Sequence, residues 1–501
     1  MEAAVRRTTS RAGTDSYRWW ALATTSLGAL LASLNMSTLV IALPDMVRSL
    51  HVGILDVVWI LLAYMLAQTA AVLTVGRLGD MWGRKRLYVS GFALFTVMAL
   101  AAGFASATWL LILLRVLAGV GGALMVANSG AIVTDAFPRR ELGVALGINA
   151  MVIAVGSAVG PVLGGWLTSF GWQWVFWFNV PLGLIGTAWS FFVLREPGHT
   201  RESQRVDWVG NVVFVVAITG LLICLSMGGI EGWTHPLVLA GAVAFLVGSP
   251  LFVWLELHVD NPLLDFSLFR NRLFTIANVA QLINGTSRMG LLFLLIFYFQ
   301  GPAQKDPVTT GLLVLPLAGV LFVVSGPAGW ISDHIGSRIP ATAGLLLTAL
   351  GLIGMAATIS IHAPYGLLAF WMVLVGVGGG LFNSPNSSSI MAAVAPEQRG
   401  VASGVRMLVA FTGAMVSIAF VLAIVTSSMP KSVMLKIFSG LTTGLPDSEV
   451  QPFINGIKLV LFTLGGISLV TVPLSLVRGQ ETARRGQPHQ VLSEPASDLP
   501  G

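Results

Sequence analysis

Fourteen stretches of this chain stay apolar for the roughly 20 residues needed to cross a bilayer. Polar breaks separate them. They fall near residues 19–44, 54–76, 87–107, 109–133, 143–169, 175–194, 208–229, 236–257, 273–300, 308–331, 340–361, 366–392, 401–427 and 455–477. An apolar run of this length is stable as a helix, which satisfies its own backbone hydrogen bonds, embedded in lipid or among other helices. A membrane β-barrel is excluded, because its strands alternate apolar and polar positions over about ten residues. Composition agrees: 10% of the 501 residues are charged and 55% are apolar, whereas soluble domains carry about a quarter charged residues. The expected fold class is an all-α polytopic membrane protein.

Two segments of the chain echo each other. Gly76-Arg77-Leu78-Gly79-Asp80-Met81-Trp82-Gly83 returns as Gly329-Trp330-Ile331-Ser332-Asp333-His334-Ile335-Gly336, with Gly-x-x-x-Asp-x-x-Gly conserved in place. A second pair, Gly119-Val120-Gly121-Gly122-Ala123-Leu124 with Gly143-Val144-Ala145, returns as Gly376-Val377-Gly378-Gly379-Gly380-Leu381 with Gly400-Val401-Ala402. The two offsets are nearly equal, which indicates a duplicated six-helix unit. Parallel repeats about an axis along the membrane normal are a transporter plan, with the substrate site between the halves near mid-bilayer. The organisation expected is a basic tail over 1–18, a six-helix bundle over 19–195 and a linker over 196–207. Two inserted helices over 208–257, a second six-helix bundle over 258–477 and a disordered tail over 478–501 follow. The segment 428–453 mixes charge with Val, Leu and Phe and is expected to hold a short surface helix.

Lys and Arg exceed Asp and Glu by 28 to 22, for a net charge of +6. In a membrane chain that excess reflects topology rather than nucleic-acid binding. Arg6, Arg7, Arg11 and Arg18, then Arg77, Arg84, Lys85 and Arg86, then Arg139, Arg140, Arg195, Arg201 and Arg205 fall on one side of the spans; Arg48, Lys305, Lys431 and Lys436 are the main exceptions. Both termini are therefore expected in the cytoplasm, with the chain in a bacterial-type cytoplasmic (inner) membrane. The first helix is too long for a signal-peptide core and is read as retained. The single Cys224 excludes an internal disulfide and a cysteine cluster. With no His-x-x-x-His pair and no Gly-Lys-Ser/Thr loop, neither a metal, a cofactor nor an enzymatic site is expected.

Taken with these motifs, the chain resembles the major facilitator superfamily, and within it the fourteen-helix drug:proton antiporter branch of multidrug efflux transporters. Gly76–Arg86 (GRLGDMWGRKR) resembles the family loop after helix 2, and Arg115–Gly119 (RVLAG) the helix-4 motif. Gly156–Gly165 (GSAVGPVLGG) resembles the helix-5 antiporter motif; Trp172–Pro181 and Asn261–Phe274 resemble further signatures of the branch. The resemblance covers nearly the whole chain apart from its tails. It implies the major facilitator fold, two six-helix repeats plus two inserted helices, working by alternating access.

It also implies roles for particular residues. Asp80, Gly83 and Arg84, echoed by Asp333, Gly336 and Arg338, would form a conformational latch in which a carboxylate caps a neighbouring helix beside an arginine; ordinary loop charge is the alternative. Gly156, Gly160, Pro161, Gly164 and Gly165 would form the antiporter face of helix 5, or simply a close-packing helix surface. Arg115, Arg288 and Arg406 lie inside spans, where each costs about 2.5–3.5 kcal/mol at mid-bilayer, so each should face a cavity or a partner. Arg115 matches the family arginine associated with proton transfer. The helix-1 acid of the branch is replaced: the chain reads Leu34-Asn35-Met36-Ser37-Thr38, and Asn35 does not titrate. Asp56 and Asp135, at span ends, are the remaining proton-coupling candidates beside the loop aspartates; Asp207 and Glu256 also sit at span ends. Asn35, Gln68, Asn128, Asn149, Asn278, Gln281, Asn284, Asn383 and Asn386, with Trp59, Tyr64, Phe382 and Phe411, are candidates to line the substrate cavity or to join helices.

The function expected is secondary export of amphipathic or drug-like small molecules, with protons as the coupling partner, from a monomer in the lipid bilayer. The alternative is a dedicated exporter of a single endogenous lipid, metabolite or anion, driven by the membrane potential acting on a substrate drawn to the central arginines.

Overall fold

The computed structural model describes residues 2–138, 141–196, 207–259, 262–395, 398–440 and 445–478, with side chains from Ser16 onward except those of Leu73, Asp80, Leu146 and Lys431. Among these residues there is no strand, and fourteen helices are long and apolar enough to cross a membrane. The first half comprises α1 (Glu2–Leu50), α2 (Ile54–Trp82), α3 (Arg84–Ala102), α4 (Thr108–Ala136), α5 (Leu142–Thr168), and a sixth span made of α6 (Trp174–Trp177) and α7 (Asn179–Val193). The inserted pair is α8 (Trp208–Glu231) and α9 (Pro236–His258). The second half comprises α10 (Arg272–Gln300), α11 (Pro307–Ile335), α12 (Arg338–Thr358), α13 (Tyr365–Ala392), α14 (Arg399–Ser427), the short α15 (Lys431–Phe438) and α16 (Asp447–Val477). An even number of spans puts both ends of the chain on one side, called here the terminal face; the opposite side is the far face.

Helix α1 begins at Glu2, so residues 2–18, expected as a tail, continue the first helix. Arg139, Arg140, most of the 196–207 linker and the tail beyond Arg478 lie outside the described residues. The expected short helix within 428–453 is α15, whose Val433, Met434, Ile437 and Phe438 are buried, with the Phe438 ring 4.4 Å from that of Phe297.

The duplication seen in the sequence recurs in space. In the first half α2 packs on α4, α1 on α5, and α3 on α4 and α7; in the second, α11 packs on α13, α10 on α14, and α12 on α13 and α16. Glycine makes the closest of these approaches possible. A Cβ on Gly121 would lie 3.0 Å from the Gly91 carbonyl oxygen, and one on Gly378 would lie 2.6 Å from the Gly344 carbonyl oxygen. Likewise Gly119 fits against the Tyr64 backbone as Gly376 fits against that of Leu317. Membrane helices associate through such close backbone contact, since lipid offers no hydrophobic drive between helices. The motif ends also match: α2 and α11 both stop at a glycine with positive φ, Gly83 (φ 100) and Gly336 (φ 83), which releases the chain into a tight turn where an L side chain would be strained.

The halves touch through α5 on α11 and α2 on α14, the pairing that a two-fold relation requires. Helix α8 bridges them, packing on both α14 and α2, while α9 packs on α8 and turns its apolar surface outward, as at Leu246 and Leu257. That outward surface is lipid-facing by chemistry, as is the one that Phe192 of α7, 80% exposed, presents.

Candidate functional site

Gly156, Gly160, Pro161, Gly164 and Gly165 of α5 form two contact lines. Gly156 and Gly160 seat Ser33 and Ser37 of α1, and a Cβ on Gly164 would meet the Thr38 carbonyl oxygen at 2.6 Å. Ser37 Oγ donates to the Gly156 carbonyl at 3.3 Å. One residue on, Gly165 lies against the backbone of Pro307, and a Cβ on Gly311 of α11 would meet the Pro161 carbonyl oxygen at 2.5 Å. The motif thus holds α1 against α5 and also makes the seam between the halves at the far face. Gln300 Nε2 of α10 adds a hydrogen bond of 3.0 Å to the Ile41 carbonyl of α1 at the same end. Toward the terminal face, positions on the two seam helices open out: Cβ atoms built on Gly147 of α5 and on Gly319 and Gly326 of α11 meet nothing within 4 Å.

Arg115 of α4 is 1% exposed. Its Nη1 donates to Asn35 Oδ1 at 2.8 Å, its Nε donates to the Ile60 carbonyl at 3.2 Å, and its guanidinium lies 4.2 Å from the centre of the Tyr64 ring. The remaining Nη2 is buried with no hydrogen-bond partner, as is the Tyr64 hydroxyl. Arg115 and Asn35 thus meet directly, and the arginine is held by neutral groups and a ring face rather than by a carboxylate. Arg288, on α10 at the position equivalent to Asn35, has no hydrogen bond or ion pair among the described residues, and its Cδ lies near Gly379, 3.4 Å from a built Cβ. Arg406 of α14 has a weak contact, its Nη1 3.5 Å from Ser387 Oγ.

The other candidate acids are not central. Asp56 is exposed in the first turn of α2 at the far face. Asp135, at the terminal-face end of α4, accepts from Arg84 Nη1 at 2.6 Å, and Arg84 Nη1 is also 3.4 Å from the Ala131 carbonyl. Arg84 of the latch motif is therefore tied to α4 of its own half. The Asp80 side chain is outside the described residues; Asp333 is exposed, with no hydrogen bond or ion pair among the described residues, and Arg338 at the start of α12 likewise shows none. Gly83 packs against the Glu196 carboxylate, which accepts from the Arg86 backbone N–H at 3.4 Å.

Several cavity candidates join helices. Asn128 packs against Gly79 of α2 and bonds the Leu124 carbonyl at 2.8 Å; Asn149 Nδ2 reaches Ser129 Oγ at 3.4 Å. Asn386 Nδ2 donates to the Ala277 carbonyl at 3.0 Å and approaches Gln281 Oε1 at 3.4 Å. Gln68 is buried beside Gly122, and Asn383 is partly buried on α13. Buried polar atoms without partners remain at Asn278 Oδ1 and at both amide atoms of Asn284 on α10. These, with Arg115, Tyr64 and Arg288, are the sequence-predicted site residues among the described ones that keep hydrogen-bonding capacity inside the spans.

Arg478 opens the stretch 478–501 that the sequence leads one to expect as a disordered tail. In the structure it is buried, and its Nη1 and Nη2 donate to Asn386 Oδ1 at 3.2 Å and Ser337 Oγ at 3.0 Å, clasping the terminal-face ends of α12, α13 and α16. No local pattern marks it, because its partners lie 92 and 141 residues away.

The Major Facilitator Superfamily family model matches residues 25–418 and, in a further match, 277–477. The chain is 32% identical over 77% of its length, and 71% of the relative's, to the multidrug resistance protein Stp of Mycobacterium tuberculosis. It is 31% identical to the riboflavin transporter RibZ of Clostridioides difficile, over 76% of this chain and 83% of that one. It is 30% identical to the tetracenomycin C resistance and export protein of Streptomyces glaucescens, over 79% and 74%. Among solved structures, a bacterial homolog of the human lysosomal transporter Spinster, inward-facing and unoccupied, aligns with a TM-score of 0.65 at 16% identity, covering 92% of this chain and 97% of that one. The human organic anion transporter MFSD10 (TETRAN) aligns with a TM-score of 0.62 at 15% identity, covering 91% and 99%. At these identities the structures speak for the fold alone. With its duplicated bundles, its motif glycines in the seam and relatives matched over most of their length, the chain belongs to the major facilitator superfamily and is a multi-pass membrane transporter rather than an enzyme.

Proposed function

We propose that this transporter exports amphipathic, drug-like small molecules in exchange for protons. The observation that carries the reading is the placement of Gly156–Gly165: the antiporter-type glycines face α1 and, at Gly165, the seam between the halves, so the motif sits where alternating access would be governed. Relatives named for multidrug resistance and for export support the direction of transport. The basic terminal face is taken as cytoplasmic on the positive-inside rule, in a bacterial cytoplasmic membrane. On that orientation the far-face seam closes the outer side, and Asp80, Gly83 and Arg84 with Asp333, Gly336 and Arg338 flank the opening on the inner side as a latch. Arg115, Asn35, Asn278 and Asn284 supply polar contacts inside a mostly apolar interior, a lining suited to varied ligands.

A second reading is favoured by Arg288, an interior cation with no carboxylate partner among the described residues: a dedicated exporter of an anion, moved by the membrane potential. Everted vesicles containing the protein separate the two. Collapsing the pH gradient alone should abolish accumulation of ethidium if protons drive transport; accumulation of an organic anion that persists under an inside-positive electrical potential favours the second reading. A growth screen against several unrelated toxic compounds tests breadth, and protection against one alone would count against the broad exporter.

A further inference from the structure

At the terminal face, where α2, the inserted helices and the chain leading into α10 come together, two carboxylates face one another. Glu256, near the end of α9, is 3% exposed. Its Oε2 accepts from the Leu264 backbone N–H at 2.8 Å; its Oε1 is buried without a hydrogen-bond partner. Asp207 caps α8, its Oδ1 accepting from the Gly210 N–H at 2.8 Å, while its Oδ2 is likewise buried and unpartnered. A Cβ built on Gly210 would contact both free oxygens, Asp207 Oδ2 and Glu256 Oε1, so about 5 Å at most separates them, a distance at which two carboxylates compete for one proton. Among the described residues, the charges acting on Glu256 are Asp207 from α8 and Arg77 from α2. Arg77 itself donates to the Pro262 carbonyl.

The arrangement spans a mechanical joint. Arg77 belongs to the Gly76–Gly83 motif of the first half, and Thr74, one turn earlier on α2, accepts from Asn211 Nδ2 of α8 at 2.8 Å. Pro262 and Leu264, bonded by Arg77 and Glu256, lead into the second half. With both carboxyls ionised, the pair puts two negative charges within about 5 Å at a buried helix junction beside one arginine, and one added proton relieves the repulsion between them. Burying net charge is costly and burying a neutral hydrogen-bonded set much less so. A single proton can therefore bias whether the joint stays packed.

We propose that Glu256 and Asp207 form a proton-binding pair, with Arg77 as their shared cation, that couples proton occupancy to the joint between α2 and the inserted helices and supplies the titratable group that Asn35 does not. The assignment rests on the proton-antiport reading. The proton adds to one carboxylate oxygen and becomes the hydrogen bond between the two carboxyls, so no other bond changes.

The test uses the full-length protein in proteoliposomes, with spin labels on cysteines replacing Val144 and Val401, at the terminal-face ends of α5 and α14, in a Cys224→Ser background. The distance distribution between labels is recorded from about pH 5 to pH 8. The wild-type distribution should shift with pH. Glu256→Gln, which keeps an oxygen for the Leu264 N–H, should hold the acidic distribution throughout, and Asp207→Asn, which keeps the cap, should move the midpoint. A pH shift in Glu256→Gln equal to that of wild type, or no shift in wild type, overturns the proposal. Measuring ethidium transport driven by a pH gradient in the same vesicles distinguishes the two failures. Proton-driven transport that survives Glu256→Gln sinks this site alone, whereas wild-type transport indifferent to the gradient sinks the antiport reading.

Discussion

Among the interior arginines, Arg115 of the first half and Arg288 of the second are held in opposite ways. Arg115 is fixed by an asparagine of α1 and by a backbone carbonyl and a tyrosine ring of α2, two neighbouring helices of its own bundle. Arg288 occupies the Asn35 position of the repeat, and the position equivalent to Arg115 is the buried Met372. The duplicated scaffold thus carries interior cations in both halves but on helices that are not equivalent: α4 in the first, and α10 with, at Arg406, α14 in the second. In the first half the cation is part of the packing; in the second, Arg288 has no hydrogen bond or ion pair among the described residues and lies beside Gly379 of its own half.

The contrast can be broken by substitution. Arg115→Ala should have the largest effect, since it strands the Asn35 and Ile60 oxygens and opens a cavity: a loss of about 1–3 kcal/mol of stability and transport lower by about tenfold or more, measured by thermal unfolding in detergent and vesicle uptake. Arg478→Ala should destabilise by about 2 kcal/mol while leaving apparent substrate affinity in place, because Arg478 clasps helix ends rather than an interior. Arg288→Ala should leave the unfolding temperature nearly unchanged and alter the preference between anionic and cationic substrates several-fold. If it instead destabilises as much as Arg115→Ala, the two arginines are held alike and the comparison fails. Asn35→Asp sharpens the contrast by placing a carboxylate against Arg115; the outcome expected is a changed pH profile of transport with little change in stability.

The smallest effect concerns the seam. Asp306 caps α11, accepting from the Thr309 N–H at 3.0 Å, and the Thr309 hydroxyl and N–H hold its carboxylate below the usual range. Asp306→Ala should cost about 1 kcal/mol. Because the folded-state value is the lower one, the cap contributes fully above the ordinary carboxylate range and fades as pH falls through that lower value, which a pH series of unfolding temperatures would show for wild type and not for the variant.

The spans, the repeat and the inserted pair were legible in the sequence because each rests on a local signal: apolar length, or a glycine pattern that returns at a fixed offset. The contact between Asn35 and Arg115 was half legible, both residues being singled out without their pairing. The Arg84–Asp135 bond and the Arg478 clasp were not, since each joins residues brought together only by the bundle. Asn128, Asn149 and Asn386 show a further reason: an amide inside a span reads the same whether it meets a ligand or a neighbouring helix. Glu256 and Asp207 were noted as acids at span ends, but nothing in the linear order reveals that α8 and α9 turn them toward each other.

The bare glycine seam at Gly165 and Gly311 has a consequence for speed. Two rods that meet through main-chain atoms have no knobs to withdraw from holes, so parting them requires no rotamer change on either side. On the alternating-access reading the α5–α11 contact would work as a bearing surface beside the Gln300–Ile41 hydrogen bond, and a residue as small as alanine placed there would act as grit, slowing the opening of that face before it disturbed the fold.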